Sequence, residues 1–255
     1  KTFNEVSHVT LPSGTLDNPV GIDIHLEQGA GDCFQMYGHI LALKTMYPDS
    51  RIKVFCHRKE HEDLVAFLRL QDKGIEYPLS YKPGHTGSSA GFWMFDLMAV
   101  PGLEALRSKE SYIDVDNQMF NLAKKVSTGK KLFSWRGNPE HENDYFRSMG
   151  IEDARSIFEC FGGNLIVVQP DITPEEETIC RSYGCDVWKD KGWGSLTALT
   201  KASDGVICVD TAISHLAGAI GAKCDLLLSC IPDWRWGMRE LDSKLYKNHR
   251  IFRQE

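Results

Sequence analysis

The feature of this sequence that most constrains its fold is an alternation of short apolar segments with helical ones. In the first half, apolar segments at 21–26 and 51–56 are each followed by a helical pattern. After a polar segment at 126–130 a second series begins, with predicted strands at 131–135, 165–169, 186–188, 206–209 and 225–228. Such alternation is typical of parallel sheets covered by helices. We therefore predict an α/β protein with two small doubly wound domains and a cleft between them.

The helices of the second series are predicted between its strands. They cover 151–161, 174–183, 196–202 and 211–220. Ser195 precedes the third of these helices, and its hydroxyl is of the type that caps a helix N-terminus. We therefore predict Ser195 as the N-cap of that helix.

Composition excludes several classes of protein. The 255 residues carry a formal net charge of −6, which disfavours a nucleic-acid partner because no general basic surface exists to hold its backbone. No uninterrupted apolar run approaches the roughly 20 residues of a membrane span, and no secretory signal is visible.

The eight cysteines are scattered singly, without a Cys-x-x-Cys pair. We expect buried free thiols in a reducing compartment, which favours a cytoplasmic location. A metal cluster built from Cys180 with Cys185, or from Cys224 with Cys230, is the alternative. Neither spacing is the usual one for zinc ligands, so no metal site is predicted.

The segment 208–216, Cys-Val-Asp-Thr-Ala-Ile-Ser-His-Leu, joins the end of an apolar strand to the start of a helix. A helix start offers free backbone N–H groups and the positive end of the helix dipole, which together suit a phosphate. Asp210 and Thr211 lie at the turn, and His215 follows Thr211 by four residues on the same helix face. The segment therefore predicts a ligand site at the carboxyl end of a strand. The plainer alternative is that Asp210 is only an N-cap and His215 only a polar position on a partly buried helix.

An earlier turn, 28–32 (Gln-Gly-Ala-Gly-Asp), also joins a strand to a helix. Gly29 and Gly31 would let a ligand or the facing domain approach the backbone closely. Asp32 could act as a general base towards a hydroxyl, or it could simply cap the helix. Phe34 stands where the third glycine of a dinucleotide fingerprint belongs, which argues against such a site.

Two further loops carry polar groups that could bind a ligand. The segment 133–148 follows a predicted strand, and its Arg136 and Arg147 carry guanidinium groups that match phosphate oxygens, unless they are only surface arginines. The segment 231–237, with Trp234 next to an arginine, could wall a ligand or cover a seam between domains.

Four blocks together resemble glycosyltransferase family 9, the heptosyltransferase-like group, and most closely the domain attached to tetratricopeptide repeats. The blocks are 27–32 (Glu-Gln-Gly-Ala-Gly-Asp), 135–148 (beginning Trp-Arg-Gly-Asn-Pro), 209–218 (Val-Asp-Thr-Ala-Ile-Ser-His-Leu-Ala-Gly), and 232–236 (Pro-Asp-Trp-Arg-Trp) with 250–254 (Arg-Ile-Phe-Arg-Gln). The ordered set spans nearly the whole chain.

The resemblance implies a GT-B-like fold, with two Rossmann-like domains that face each other across a cleft. It also implies an inverting transfer of a sugar from a nucleotide-sugar donor to an acceptor hydroxyl, without a metal or other cofactor. It implies an acceptor-side domain at 1–127, a donor-binding domain at 128–236, and a tail at 237–255 that crosses back to the first domain. The residues that would bind the donor are Arg136, Asn138, Arg147, Asp210, Thr211, Ala212 and His215. Asp32 would be the general base, and Gly29, Gly31 and Trp234 would line the acceptor site or the cleft.

Ala212 departs from the glycine that is common in heptosyltransferases, which weakens the expectation that the sugar is a heptose. The acceptor would be a glycan, a lipid-linked glycan or a protein. A catalytically silent nucleotide-sugar-binding module is the main alternative, because it would keep Asp210 and His215 without using Asp32. An oxidoreductase would need the dinucleotide fingerprint that is incomplete here, and a structural scaffold would not explain polar groups at several strand ends.

Overall fold

The structure is a computed structural model that describes residues 21–56, 58–78 and 90–254. Its described residues form two compact units. The first contains 21–28 and 36–107, and the second contains 29–35 and 108–254. The glycine turn at 29–32 therefore belongs to the second unit.

The first unit is built on a four-stranded parallel sheet in the order β3-β2-β1-β4. Its elements are β1 (Gly21–Leu26), α1 (Ala30–Met46, which begins in the second unit), β2 (Arg51–Cys56), α2 (Glu62–Arg69), β3 (Ile75–Glu76), β4 (Ala90–Trp93) and α3 (Leu103–Leu106). In the central strand β1 every second side chain is buried, as the strand period of two requires. The strands predicted at 21–26 and 51–56 are confirmed to the residue.

The second unit contains a six-stranded parallel sheet in the order β10-β9-β8-β5-β6-β7. Its elements are α4 (Asn117–Ser127), β5 (Lys131–Ser134), α5 (Asp144–Arg147), α6 (Arg155–Phe161), β6 (Leu165–Val167), α7 (Pro174–Ser182), β7 (Asp186–Val187), α8 (Trp193–Ala202), β8 (Val206–Val209), α9 (Ala212–Ala219), β9 (Cys224–Leu228) and β10 (His249–Arg253). The predicted α/β class with two parallel-sheet units is confirmed.

The core of the second unit explains why its strands are continuously apolar. All residues of β6 and of β8 are buried, as expected for parallel strands with helices packed on both faces. Phe133, Trp135 and Phe158 meet in this core, with ring centroids 5.6–5.8 Å apart. Each edge-to-face pair adds about 0.5–1.5 kcal/mol beyond the burial of its surface. The loop that follows β5 is thereby anchored at Trp135.

One helix start differs from its prediction. Helix α8 begins at Trp193 with Gly192 as its N-cap, so the prediction of Ser195 as N-cap is wrong. The Ser195 hydroxyl lies inside the first turn and donates to the Gly192 carbonyl at 2.8 Å. The helix gains a turn because Trp193 packs edge-on against Phe34, with ring centroids 4.9 Å apart.

The end of the chain also differs from expectation. Within the predicted tail, 237–255, residues 249–253 form β10, the edge strand of the second sheet, paired in parallel with β9. His249 and Ile251 are buried while Arg250 and Phe252 are exposed, which suits a strand at a sheet edge. Residues 249–253 of the predicted tail thus belong to the second unit.

The compact units separate after Arg107, whereas the sequence predicts a boundary at 127/128. Helix α4, which ends at Ser127, packs on α8 within the second unit. The acceptor-side and donor-side roles of the predicted domains stay predictions. In the described part of the chain, no helix is both long enough and apolar enough to cross a bilayer.

Candidate functional site

The candidate site lies in the second unit, at the carboxyl end of its sheet. The chain lays down β5, β6 and β7 in one direction and then places β8 on the other side of β5. In open α/β sheets, ligands bind at the carboxyl ends of the strands beside such a reversal. The loops after β5 and β8 carry most of the polar residues that the sequence predicts for the site.

The start of α9 is open at its first turn. Thr211 is the N-cap, in an extended conformation, and its side chain makes no capping hydrogen bond. Gly31 lies against this helix start: a Cβ at that position would stand 2.8 Å from His215 Cδ2 and 3.2 Å from Ala212 Cα. The predicted close approach at Gly31 is therefore made by α9, and Gly31, Ala212 and His215 come together.

His215 is fully enclosed. Its Nδ1 lies 2.9 Å from the Tyr246 hydroxyl, and its Nε2 lies 3.3 Å from Nη1 of Arg235. Because a guanidinium only donates, Nε2 is the accepting nitrogen and the proton sits on Nδ1, which donates to Tyr246. Burial, and then the positive charge of Arg235, lower the pKa of His215 well below its usual range. The ring is therefore a neutral hydrogen-bonding group, stacked on Trp236 at 5.3 Å.

Asp210 lies beside this imidazole, with Oδ1 3.9 Å from His215 Nε2. Only 9% of the residue is exposed. Burial raises the pKa of Asp210, although Arg235, the indole of Trp236 and Arg147 all favour its charged form. The plain N-cap alternative does not hold, because Thr211 is the N-cap of α9.

Asp32 makes contacts through both of its carboxylate oxygens. It lies in the first turn of α1, where Oδ2 accepts a hydrogen bond from the Gly29 backbone N–H at 3.1 Å. Its other oxygen, Oδ1, accepts from Nη1 of Arg235 at 2.7 Å. One carboxylate therefore caps the helix and joins the cluster around His215.

Arg235, which the sequence did not single out, connects these groups. Besides Asp32 and His215, it contacts Asp233, whose Oδ1 accepts from its Nε at 2.8 Å. Burial would lower the pKa of Arg235, but the carboxylates of Asp32, Asp233 and Asp210 raise it. Trp234, the neighbour that the sequence named instead, is 62% exposed, and the Arg235 guanidinium lies 5.5 Å from its ring. The only sequence signal was the position of Arg235 between two tryptophans.

The two predicted phosphate-binding arginines differ in their surroundings. Arg147 pairs with Asp144 at 3.0 Å and is near enough to Asp210 and His215 to affect both pKa values. Arg136 instead forms ion pairs with Glu176 at 2.6 Å and Asp171 at 3.0 Å, which raise its pKa. Arg147 thus belongs to the cluster, whereas the guanidinium of Arg136 is already neutralised by two carboxylates.

Gln169 holds the loop after β5 in place, and sequence reasoning missed this role. Its buried Oε1 accepts from the Ser134 hydroxyl at 3.0 Å and from the backbone N–H of Trp135 and Arg136 at 3.2 and 3.1 Å. A glutamine directly after an apolar strand was the available signal. Asn138, the remaining predicted donor-site residue, is exposed and accepts from the Glu140 backbone N–H.

A cavity of about 180 Å³ lies beyond the carboxyl ends of β6 and β7. Its walls are mainly apolar and include Val168, Gln169, Ile172, Trp188, Trp193 and Leu196. Trp188 has a buried indole N–H without a hydrogen-bond partner. A partly open space with aromatic walls suits a flat heterocycle.

The cysteines of the described chain are all free thiols. Among the residues that the structure describes, no group of three or more His, Cys, Asp or Glu side chains is arranged to hold a metal ion.

Comparison with solved structures identifies the fold. The chain superposes on Escherichia coli heptosyltransferase WaaC with ADP-2-deoxy-2-fluoro heptose, with a TM-score of 0.57 and 10% identity over 92% of this chain and 93% of that one. A glycosyl transferase family 9 protein from Veillonella parvula DSM 2008 gives a TM-score of 0.64 at 10% identity, over 93% and 88% of the two chains. The chain has the heptosyltransferase fold. The resemblance predicted from sequence is therefore confirmed at the level of fold.

A third structure with this fold is the bacterial iron-containing dodecameric glycosyltransferase TibC from enterotoxigenic Escherichia coli H10407. It matches with a TM-score of 0.56 at 12% identity, over 81% of this chain and 57% of that one. No family model and no curated protein matches the sequence. At identities of 10–12% these structures show that the fold is shared and nothing about single residues. The roles of individual residues are therefore argued from the geometry of the site in this chain.

Proposed function

We propose that this protein is a glycosyltransferase that moves a hexose- or heptose-like sugar from a nucleotide-sugar donor to an acceptor hydroxyl. The observation that carries the proposal is the cluster at the start of α9, where Arg147, Arg235, Asp210 and His215 surround an uncapped helix N-terminus. Two guanidinium groups and open backbone amides form a site for a diphosphate. The heptosyltransferase fold supports the same function.

In this proposal the donor lies along the carboxyl end of the second sheet. Its diphosphate would meet the amides of Ala212 and Ile213 and the guanidinium groups of Arg147 and Arg235. Its base would enter the cavity lined by Trp188 and Trp193, where the rings offer apolar faces. Thr211 would bind a sugar or phosphate oxygen, and neutral His215, whose Nε2 is an acceptor, would accept from a sugar hydroxyl. Arg136 and Asn138 would shape the loop after β5 without reaching the phosphates.

The reaction would proceed with inversion. The acceptor oxygen attacks the anomeric carbon while the bond from that carbon to the diphosphate oxygen breaks. The acceptor proton passes to the Asp32 carboxylate, and Arg147, Arg235 and the α9 dipole stabilise the leaving diphosphate. We propose a reaction that does not depend on a metal, in which these groups face the leaving diphosphate.

We further propose a cytoplasmic protein whose acceptor is a glycan, a lipid-linked glycan or a protein. The free thiols support the location. The net charge of −6 disfavours a nucleic-acid acceptor. Gly29 and Trp234 would lie on the acceptor side of Asp32, with the exposed Trp234 ring available to a sugar.

A catalytically silent nucleotide-sugar-binding module is the second candidate. The ion pair between Asp32 and Arg235 favours it, because the guanidinium already occupies the Oδ1 oxygen of Asp32.

Donor binding can be tested by calorimetric titration of the protein with ADP, UDP and GDP. We expect one of them to bind, and we expect Leu196→Phe, which fills the cavity, to weaken that binding by about tenfold or more. Leu122→Phe is the matched control, because it makes the same change at an exposed site on α4. Binding of none of the three nucleotides, or equal effects of the two variants, would contradict the proposed donor site.

Catalysis is tested by incubating the matching nucleotide sugar with glycan and protein acceptors and measuring release of the nucleoside diphosphate. Asp32→Asn should lower turnover by at least about a hundredfold while the donor still binds, because the general base is lost. Undiminished turnover in Asp32→Asn would rule out this role for Asp32. Donor binding without turnover in the wild-type protein would favour the silent module.

A further inference from the structure

Arg235 is bound mainly by carboxylates in the free protein. Its Nη1 donates to Asp32 at 2.7 Å and its Nε to Asp233 at 2.8 Å. Its Nη2 donates no hydrogen bond to a described residue, so one edge of the guanidinium remains available. Only 12% of the side chain is exposed, so its charge is poorly screened by water.

The charges around this guanidinium do not favour a second anion. The cations Arg147 and Arg235 stand among four carboxylates: Asp32, Asp144, Asp210 and Asp233. A diphosphate brings at least two more negative charges into the same volume. The site can hold the diphosphate if one of the carboxylates no longer pairs with its arginine.

The two carboxylates on Arg235 are not equally able to do so. Asp233 is two residues away in the chain and also accepts from the backbone N–H of Arg235, so it moves together with the arginine. Asp32 belongs to another element, the first turn of α1, and its Oδ2 is held there by the Gly29 N–H. The hydrogen bond between Arg235 and Asp32 is therefore the one that can break without disturbing either element.

We propose that Arg235 exchanges partners during the reaction: it neutralises Asp32 in the free protein and turns to the diphosphate when the donor binds. This inference rests on the proposed glycosyltransferase function. When the guanidinium turns away, Oδ1 of Asp32 loses the hydrogen bond from Nη1 and becomes open to the acceptor hydroxyl. Asp32 thus becomes a competent base only in the donor complex, and the donor binds before the acceptor can react.

The exchange predicts an unusual mutational pattern in diphosphate binding. We would titrate inorganic pyrophosphate, ADP, UDP and GDP into the wild-type protein, Asp32→Asn, Arg235→Gln and the double variant. Arg235→Gln should weaken binding by about tenfold or more, because a charged hydrogen bond is lost. Asp32→Asn should tighten it by about threefold to tenfold, because a competing anion is removed. In the Arg235→Gln background the second substitution should change the affinity by less than about twofold.

The outcomes separate this inference from the function on which it rests. If pyrophosphate and all three nucleotides fail to bind the wild-type protein, the proposed donor site and the exchange are both overturned. If the wild-type protein binds and Asp32→Asn is unchanged or weaker, the exchange alone is overturned.

A measurement on the wild-type protein avoids reliance on variants that fold poorly. In a crystal structure with the diphosphate bound, Nη1 of Arg235 should lie beyond about 4 Å, the limit of an ion pair, from Oδ1 of Asp32. Retention of the 2.7 Å hydrogen bond in that complex would overturn the exchange.

Discussion

At the scale of single residues, Asp210 is a group of the candidate site whose burial costs stability. Its carboxylate is almost fully buried beside a neutral imidazole, and burial raises its pKa despite two nearby arginines. An uncharged side chain at this position would avoid the cost of desolvation, so folding stability does not explain the carboxylate. The proposed binding of a ligand does explain it.

The stability of Asp210→Asn should therefore depend on pH in a defined direction. Because the folded-state pKa lies above the ordinary value of 3.8, the native state favours the protonated carboxyl. The raised pKa contributes free energy of unfolding to the wild-type protein below about pH 4. This contribution is lost as the pH rises through the folded-state pKa. The advantage of Asp210→Asn should grow from pH 4 towards neutrality, by about 1.4 kcal/mol for each unit of pKa shift.

This is measured by denaturant unfolding of the two proteins between pH 4 and pH 8. Glu159→Gln, at an exposed position on α6, serves as the control and should give a difference that does not vary with pH. A difference for Asp210→Asn that shrank with rising pH would contradict the burial argument.

At the scale of elements, the contact between α1 and α9 decides the geometry of the site. Gly31 in the first turn of α1 lies against Ala212 and His215 at the start of α9, and Asp32 beside it reaches Arg235. A side chain at residue 31 would push the two helix starts apart. The two strand-to-helix turns that the sequence singled out separately are thus one structural feature.

Gly31→Ala should be destabilising although alanine is the better helix former. Its Cβ would stand 2.8 Å from the His215 ring and 3.2 Å from the Ala212 backbone, so α9 must move. We expect a loss of about 1–3 kcal/mol of unfolding free energy, together with weaker nucleoside diphosphate binding. Gly91→Ala in β4 is the matched control, because its Cβ would meet nothing within 4 Å. Equal stability of the two variants would show that the contact does not limit the packing.

At the scale of the whole molecule, the groups that we propose for the donor all belong to the second unit. The proposed base Asp32 belongs to the same unit, although it is separated in sequence from the rest of that unit. The proposed sites for the diphosphate and for the nucleotide base lie at the same edge of the second sheet. Donor binding should therefore stabilise all strands of that sheet together.

Hydrogen exchange with and without a nucleoside diphosphate tests this expectation. At a ligand concentration of about 100 times the dissociation constant, the most protected amides of β5, β8 and β9 should gain about 2.7 kcal/mol of protection. Amides of β1 and β2 should keep their exchange rates, because no proposed ligand contact lies in the first unit. Equal gains in both sheets would contradict a donor site confined to the second unit.

Much of the fold was predictable because it depends on local pattern. The strands at 21–26, 51–56 and 206–209 were predicted to the residue, since apolar runs flanked by turns define them. Strand β10 was not, because its alternating His-Arg-Ile-Phe-Arg becomes a strand only when β9 offers an edge to pair with. The start of α8 was misplaced because the contact of Trp193 with Phe34 outweighed the capping preference of Ser195.

The sequence by itself determined the α/β class, the resemblance to the heptosyltransferase-like group and the two turns that carry Asp32 and Asp210. These follow from periodicity and from motifs whose residues are neighbours in the chain. Only the tertiary structure decided that Arg235 is the cation on Asp32, that His215 is neutral, and that Arg136 is occupied by Glu176 and Asp171. Charge pairing and desolvation depend on distances between side chains that lie far apart in the chain, and folding alone sets those distances.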